Sequence, residues 1–175
     1  MTPLIAGVGL LFLVFGIVVF VGAPYVPSLR KDIDKAFSAL YVISKKDVLL
    51  DIGSGDGKVL RAAASRGAKS VGYEINPVLV AISRLMSLGN NRIDTQLQNM
   101  WTARFPDDLT VIYIFAVSRD AAKVATKVQK EVDRIGRPLS LISYGSTIPG
   151  GVLEKQVGAH HLYVFAPLQT KKPQV

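Results

Sequence analysis

The 175-residue chain is one domain's worth of sequence, with no room for a second sizeable core. It has no cysteine, which excludes a disulfide framework, a thiolate zinc site and a cysteine nucleophile, and its two histidines, His160 and His161, present no evident metal site. The net charge of +8 comes from 21 Lys+Arg against 13 Asp+Glu, all within residues 30–175, and no dense basic tract with interleaved aromatics points to nucleic acid.

The first predicted element is Leu4 to Val21, where 14 of 18 residues are Leu, Ile, Val or Phe. At 1.5 Å rise a helix of that length reaches about 27 Å, close to a hydrocarbon core. A cleaved signal peptide is the alternative, given small residues at Gly22-Ala23, but there is no basic region before the apolar run. A buried core helix fits less well, because the run is apolar all round. The expectation is a retained transmembrane helix. Arg30 and Lys31 flank it on one side, so the positive-inside bias puts the rest of a single-pass protein on the cytoplasmic side or its organellar equivalent. The net positive charge then has a plain explanation in attraction to anionic head groups. Three regions follow: 1–29 as the transmembrane helix and the PYVPS segment, 30–167 as the folded domain, and 168–175 as a polar tail.

Pro24 and Pro27 end the apolar helix. From Asp32 to Ile43, apolar residues at 33, 36, 37, 40 and 43 have a helical period and predict an amphipathic helix. Alternating units come next: a strand at Val48–Asp51, a helix at 58–66, a strand at 70–74, and a helix opened by Pro77 and running to Leu88. Strands are predicted at Ile93–Leu97 and Thr110–Phe115, a helix at Arg119–Ile135, and a fifth strand at Leu139–Ser143. Val152–Lys155 and His160–Phe165 read as a closing antiparallel hairpin, with both histidines on the strand surface. The alternation predicts an α/β fold with a mostly parallel sheet covered by helices on both faces.

Within this series VLLDIGSGDG at 48–57 stands out, because a strand enters Asp51 and then a loop with glycine at 53, 55 and 57. Glycine lets the backbone turn sharply and lets a ligand approach it closely. The pattern D-x-G-x-G-x-G differs from the dinucleotide fingerprint, and no G-K-[ST] follows to hold a triphosphate. A lone glycine loop is often only a tight turn. Here Glu74 ends the second strand 17 residues after Gly57, where a carboxylate can accept both hydroxyls of a ribose. The loop resembles motif I of class I S-adenosyl-L-methionine (SAM)-dependent methyltransferases.

The segments PYVPS at 24–28, DIGSGDGK at 51–58, GYEINPVLV at 72–80 and Asn99-Met100-Trp101 extend that likeness. Over roughly residues 5 to 135 the chain resembles the membrane-anchored lysine methyltransferases of the ATP synthase c subunit and the adenine nucleotide translocase, a family with prokaryotic members. The resemblance implies a class I SAM-dependent, Rossmann-like fold. It implies that Asp51, Gly53, Ser54, Gly55 and Asp56 surround the methionine moiety and that Glu74 holds the ribose. Ile75, Asn76, Asn99 and Met100 would complete the cofactor shell, and Tyr25, Pro27 and Ser28 would form the catalytic segment. It implies a protein acceptor, which can be membrane-embedded, and no metal or nucleic-acid partner. Two departures stand out: Asn99 replaces the family's usual Asp, and Tyr144–Pro149 replaces an Arg-Phe-Pro element. Ala116-Val117-Ser118 lacks the Asn/Asp-Pro-Pro-Tyr/Phe element of methyltransferases acting on DNA bases and glutamine.

For a lysine acceptor the amine must be neutral, which at pH 7 costs about 4.6 kcal/mol from a reference pKa near 10.4. Tyr25 is the candidate to orient or deprotonate it, against a simple role as an interface anchor. Trp101 divides between a functional role and packing beneath the cofactor. Two further readings remain from the sequence: a small-molecule or lipid methyltransferase, and a non-catalytic SAM-binding membrane protein.

Overall fold

The computed structural model describes Gly7, Gly9 and residues 30–168. Among them no helix is long and apolar enough to cross a membrane. This corrects the expectation of a single-pass membrane protein with its catalytic part on the cytoplasmic side. The apolar run at 4–21, apart from Gly7 and Gly9, lies outside the described residues, as do Tyr25, Pro27 and Ser28.

The described chain opens with α1 (Arg30–Lys35), which passes directly into a π-helical turn at Ala36–Leu40. The predicted apolar period holds there, since Ile33, Ala36, Phe37, Leu40 and Ile43 are all buried. The helix type differs from the expectation: Tyr41 N–H reaches back to the Ala36 carbonyl at 2.8 Å, a five-residue step that widens the last turn. The elements after it are β1 (Val48–Ile52), α2 (Lys58–Ala64), β2 (Lys69–Glu74), α3 (Pro77–Met86), β3 (Ile93–Leu97) and β4 (Val111–Ala116). A 3₁₀ turn at Ser118–Asp120 leads into α4 (Ala121–Ile135), followed by β5 (Leu139–Gly145), β6 (Val152–Val157) and β7 (His160–Phe165).

The seven strands form one sheet in the order β3-β2-β1-β4-β5-β7-β6. The first five pair in parallel, and β7 runs antiparallel to both β5 and β6. Because side chains alternate across a strand, β4 sends Ile112 and Ile114 to one face and Val111 and Tyr113 to the other. The first face packs against Val124, Ala125, Val128 and Val132 of α4. The second packs against Ile33 and Phe37 at the start of the chain and Val59, Leu60 and Ala63 of α2. Such two-sided cover is what the near-continuous apolar runs of β1 and β4 require.

Consecutive strands step outward from β1 to β3 in one direction, and from β4 onward in the other. The reversal between β1 and β4 opens a crevice at the carboxyl ends of the strands, where open α/β sheets bind ligands. The glycine loop and Glu74 stand at that edge.

Candidate functional site

Asp51, second to last in β1, is 4% exposed, and Glu74, the last residue of β2, is 8% exposed. Both belong to the face that carries Leu49 and Tyr113, given Asp51 opposite Tyr113 and Gly72 opposite Asp51. Burial pushes the Asp51 carboxyl well above the usual carboxylate range, and the negative charges of Glu74 and Asp56 push it the same way. Three acidic groups therefore converge on one loop.

Glu74 organises that loop. The Gly55 N–H donates to its Oε2 at 3.0 Å and the Asn76 N–H to its Oε1 at 2.8 Å. A carboxylate has about four acceptor directions, so two remain for a ligand's hydroxyls. The Gly53 and Ser54 N–H groups both donate to the Tyr73 carbonyl, at 2.8 and 3.2 Å. Gly57 N–H turns back to the Ser54 carbonyl and Lys58 N–H to Asp56 Oδ1. The loop thus uses most of its N–H groups internally, unlike a loop that cradles phosphate with them.

Two glycines show why the spacing is needed. Gly53 sits at φ +75° with nothing within 4 Å of where a Cβ would stand, so its surface is open to a ligand. Gly57, at φ +77°, would place a Cβ 2.2 Å from Ser83 Oγ of α3, so a side chain there has no room.

The remaining candidates divide by what their side chains do. Asp56 faces α2, 3.7 Å from the Arg61 guanidinium, while Arg61 also donates to the Asp56 carbonyl at 2.5 Å. Asn76 caps α3, accepting from Val78 N–H at 2.9 Å and Leu79 N–H at 3.4 Å. Ser54 is buried with its hydroxyl unpartnered, packed into the space left by Gly72. Ile75 is 45% exposed, an apolar side chain left at the rim beside Glu74. Asn99 is exposed and accepts from the Trp101 N–H at 3.0 Å, closing a local turn. Met100 is half-buried against the α4-side core. Trp101 is 44% exposed.

Three residues were missed from sequence. Gly72 lies mid-strand in β2, where a Cβ would meet Leu60 Cδ1 and Ser54 Oγ, each at 2.6 Å. A lone glycine inside a strand is a signal of close approach, and it was available. Tyr113 and His160 had no such signal. His160 and His161, expected on a strand surface, are 3% and 7% exposed. Tyr113 Oη and His160 Nε2 are 2.9 Å apart, brought together only by the pairing of β4, β5 and β7. Burial holds the His160 imidazole below its ordinary value, while the Asp32 charge acts the other way.

Chemically, this edge suits a ligand that carries positive charge together with a ribose. Buried Asp51 lacks a counter-charge from its acidic neighbours, Glu74 has acceptor directions left, and the open face of Gly53 admits close approach. A polyphosphate would meet three carboxylates and few free N–H groups. S-adenosylmethionine, with a sulfonium, an ammonium and a ribose diol, fits the residues present.

Comparison with known proteins bears on the same residues. Residues 51–150 match the family described as the ANTKMT methyltransferase domain. The chain is 31% identical over 120 residues to the lysine N-methyltransferase of the ATP synthase c subunit from Homo sapiens, covering 67% of this chain and 50% of that protein. It is 36% identical over 63 residues to the adenine nucleotide translocase lysine N-methyltransferase of Mus musculus, covering 35% of this chain and 27% of that one. The chain spans about half the length of the human and Xenopus laevis relatives it matches. Among solved structures, an RNA methyltransferase from Salinibacter ruber in complex with S-adenosyl-L-homocysteine aligns with a TM-score of 0.71 at 21% identity, covering 85% of this chain and 98% of that one. At that identity the likeness speaks for the fold alone. With the match spanning the glycine loop, Glu74 and the strands behind them, the chain belongs to the ANTKMT methyltransferase domain family, with a class I methyltransferase fold and S-adenosylmethionine as its cofactor.

Proposed function

We propose that this chain is a SAM-dependent N-methyltransferase acting on a lysine side chain of a protein, of the kind that its curated relatives methylate. The observation that carries the reading is the buried Asp51–Glu74 pair at the glycine loop, within a domain whose relatives are named for lysine methylation.

The cofactor, when bound, supplies a methyl group already activated on sulfur, so the protein's work is to bind, orient and exclude water. Asp51 would face the cationic part of the cofactor, since a positive charge there relieves the repulsion it bears from Glu74 and Asp56. Glu74 would accept from the ribose while holding Gly55 and Asn76. Ile75, left exposed, would cover an apolar ring face. Tyr25, Pro27 and Ser28 remain the proposed acceptor-side segment. The amine has to arrive neutral, or lose its proton in the site, before it attacks.

The test is transfer itself. The purified chain is incubated with methyl-tritiated SAM and a fraction containing the ATP synthase c subunit or the adenine nucleotide translocase, and protein and lipid counts are separated. Protein counts that hydrolyse to methyl-lysine are the expected result. Counts that extract with lipid would move the assignment to a lipid methyltransferase, and SAM binding without transfer would leave a binding protein.

A further inference from the structure

The face that carries Asp51 continues past the cofactor edge. Asp51, Tyr113, Ile142 and Leu162 stand side by side in register across β1, β4, β5 and β7. One step toward the carboxyl edge of the parallel strands the row reads Phe115, Tyr144 and His160. At about 4.8 Å between neighbouring strands, β5 is roughly 10 Å from β1. That is the reach of a long side chain, not of a separate domain.

Above this second row is a cavity of about 230 Å³, lined by Asp32 and Lys35 of α1, Tyr144 of β5, and residues 157–160 at the β6–β7 turn. Its walls are ordered. The Tyr144 and His160 rings lie 4.6 Å apart at 37°, and Phe115 backs Tyr144 at 5.7 Å. His160 is held from behind by Tyr113. Asp32 is half-buried whereas Lys35 is exposed. Lys35 lines the same cavity from an exposed position, where water screens its charge more than that of half-buried Asp32. Asp32 and His160 both line the cavity, so carboxylate and ring face one space.

A carboxylate beside aromatic faces is a binding environment for an alkylammonium group, through a charge-assisted hydrogen bond and cation–π attraction. We propose that this pocket takes the amine-bearing side chain of the polypeptide acceptor, with Asp32 as its counter-ion and the Tyr144 and His160 rings as its walls. The inference rests on the lysine-methyltransferase reading above and assigns it a second, acceptor-side site apart from the glycine loop.

Direct binding tests it without any turnover. The chain has only two histidines, so the His160 ring resonances are assignable by comparison with a His161→Gln variant. They are followed by NMR as the protein is titrated with n-butylammonium, with N-acetyl-lysine methylamide, and with n-butanol as the uncharged control. Both amines should move the His160 signals and butanol should not. Asp32→Asn should weaken amine binding roughly tenfold, while SAM affinity by calorimetry stays within twofold. In the transfer assay the same variant should raise KM for the protein acceptor roughly tenfold, with kcat within about threefold. No shift with either amine, or equal shifts in Asp32→Asn, would overturn the pocket. Binding of the free amine but not the lysine derivative would overturn the polypeptide ligand. Amine binding in a chain that transfers no methyl to lysine would leave the pocket standing and reject the reading on which it rests.

Discussion

Asp51 and His160 lie on one face of the same sheet, both nearly inaccessible to water. Burial disfavours the charged form of each, which raises the carboxyl and lowers the imidazole. Their neighbours make the difference. His160 has its need met inside the fold by the Tyr113 hydroxyl, whereas Asp51 has Glu74 and Asp56 as neighbours, which add repulsion. At one end of the face the buried ring is satisfied within the fold; at the other a bound cation would relieve the repulsion. A buried group with its partner supplied supports the fold, and a buried group facing like charge marks the place of a ligand.

The pH dependences follow with opposite sign. Asp51 binds its proton more tightly folded than unfolded. Stability from this group is therefore full below the unfolded carboxyl value near 3.9 and is lost as pH rises toward the raised folded value. His160 binds its proton less tightly when folded. Its contribution is full above the unfolded value near 6.5 and is lost as pH falls toward the lowered one.

Four experiments can break or sharpen this contrast. The largest effect is expected from Glu74→Ala, which removes the proposed ribose acceptor together with the acceptor of the Gly55 N–H in the loop and of the Asn76 N–H at the start of α3. At about 1.5–3 kcal/mol for each hydrogen bond to a charged group, SAM affinity should fall by about 3 kcal/mol or more. Calorimetry returning wild-type affinity would remove Glu74 from the site. Next comes Gly57→Ala. A left-handed alanine costs roughly 1–2 kcal/mol, and overpacking against Ser83 about 1–3 more, so chemical denaturation should register a loss of about 3 kcal/mol. Gly53→Ala should pay only the backbone cost, because its surroundings are open, yet bind SAM poorly. Equal stability losses in the two variants would contradict the different space around them.

Asp51→Asn should separate binding from folding. Without cofactor the variant should be more stable than wild type at pH 7, the gain shrinking to nothing near pH 4. Its SAM affinity should drop by about 1.5–3 kcal/mol for the lost charged partner. Denaturation curves at several pH values check the sign, and a variant less stable at pH 7 than at pH 4 relative to wild type contradicts it. Tyr113→Phe is the mildest. It leaves a buried imidazole nitrogen without its partner, at about 1–2 kcal/mol of stability. SAM affinity should be unchanged, and a fall in affinity comparable with that of Glu74→Ala would show the two ends to be one site.

Local pattern carried most of the architecture. The apolar period at 33, 36, 37, 40 and 43, the strand-to-glycine transition at Asp51, Pro77 as a helix start and the hairpin around Gly158 depend on neighbours a few residues apart. Such signals survive in one dimension because helix and strand periods are set by the backbone. The acidic residue at the end of β2 was legible for the same reason, since its distance from the loop is set by one strand–helix–strand unit.

What the sequence by itself determined, then, is the α/β alternation, the glycine loop, and Asp51 and Glu74 at strand ends beside it. Tertiary structure alone decided that Glu74 ties the loop at Gly55 to the start of α3 at Asn76, that the Asn76 and Asp56 side chains turn to the helices, and that His160 is buried. It also decided that Tyr113, Tyr144 and His160 share a face with Asp51, through pairings between strands distant in the chain. The physical reason is register. A pairing shifted by one residue sends every side chain to the opposite face, and no short-range pattern in this chain states which residue of β7 stands beside which residue of β5.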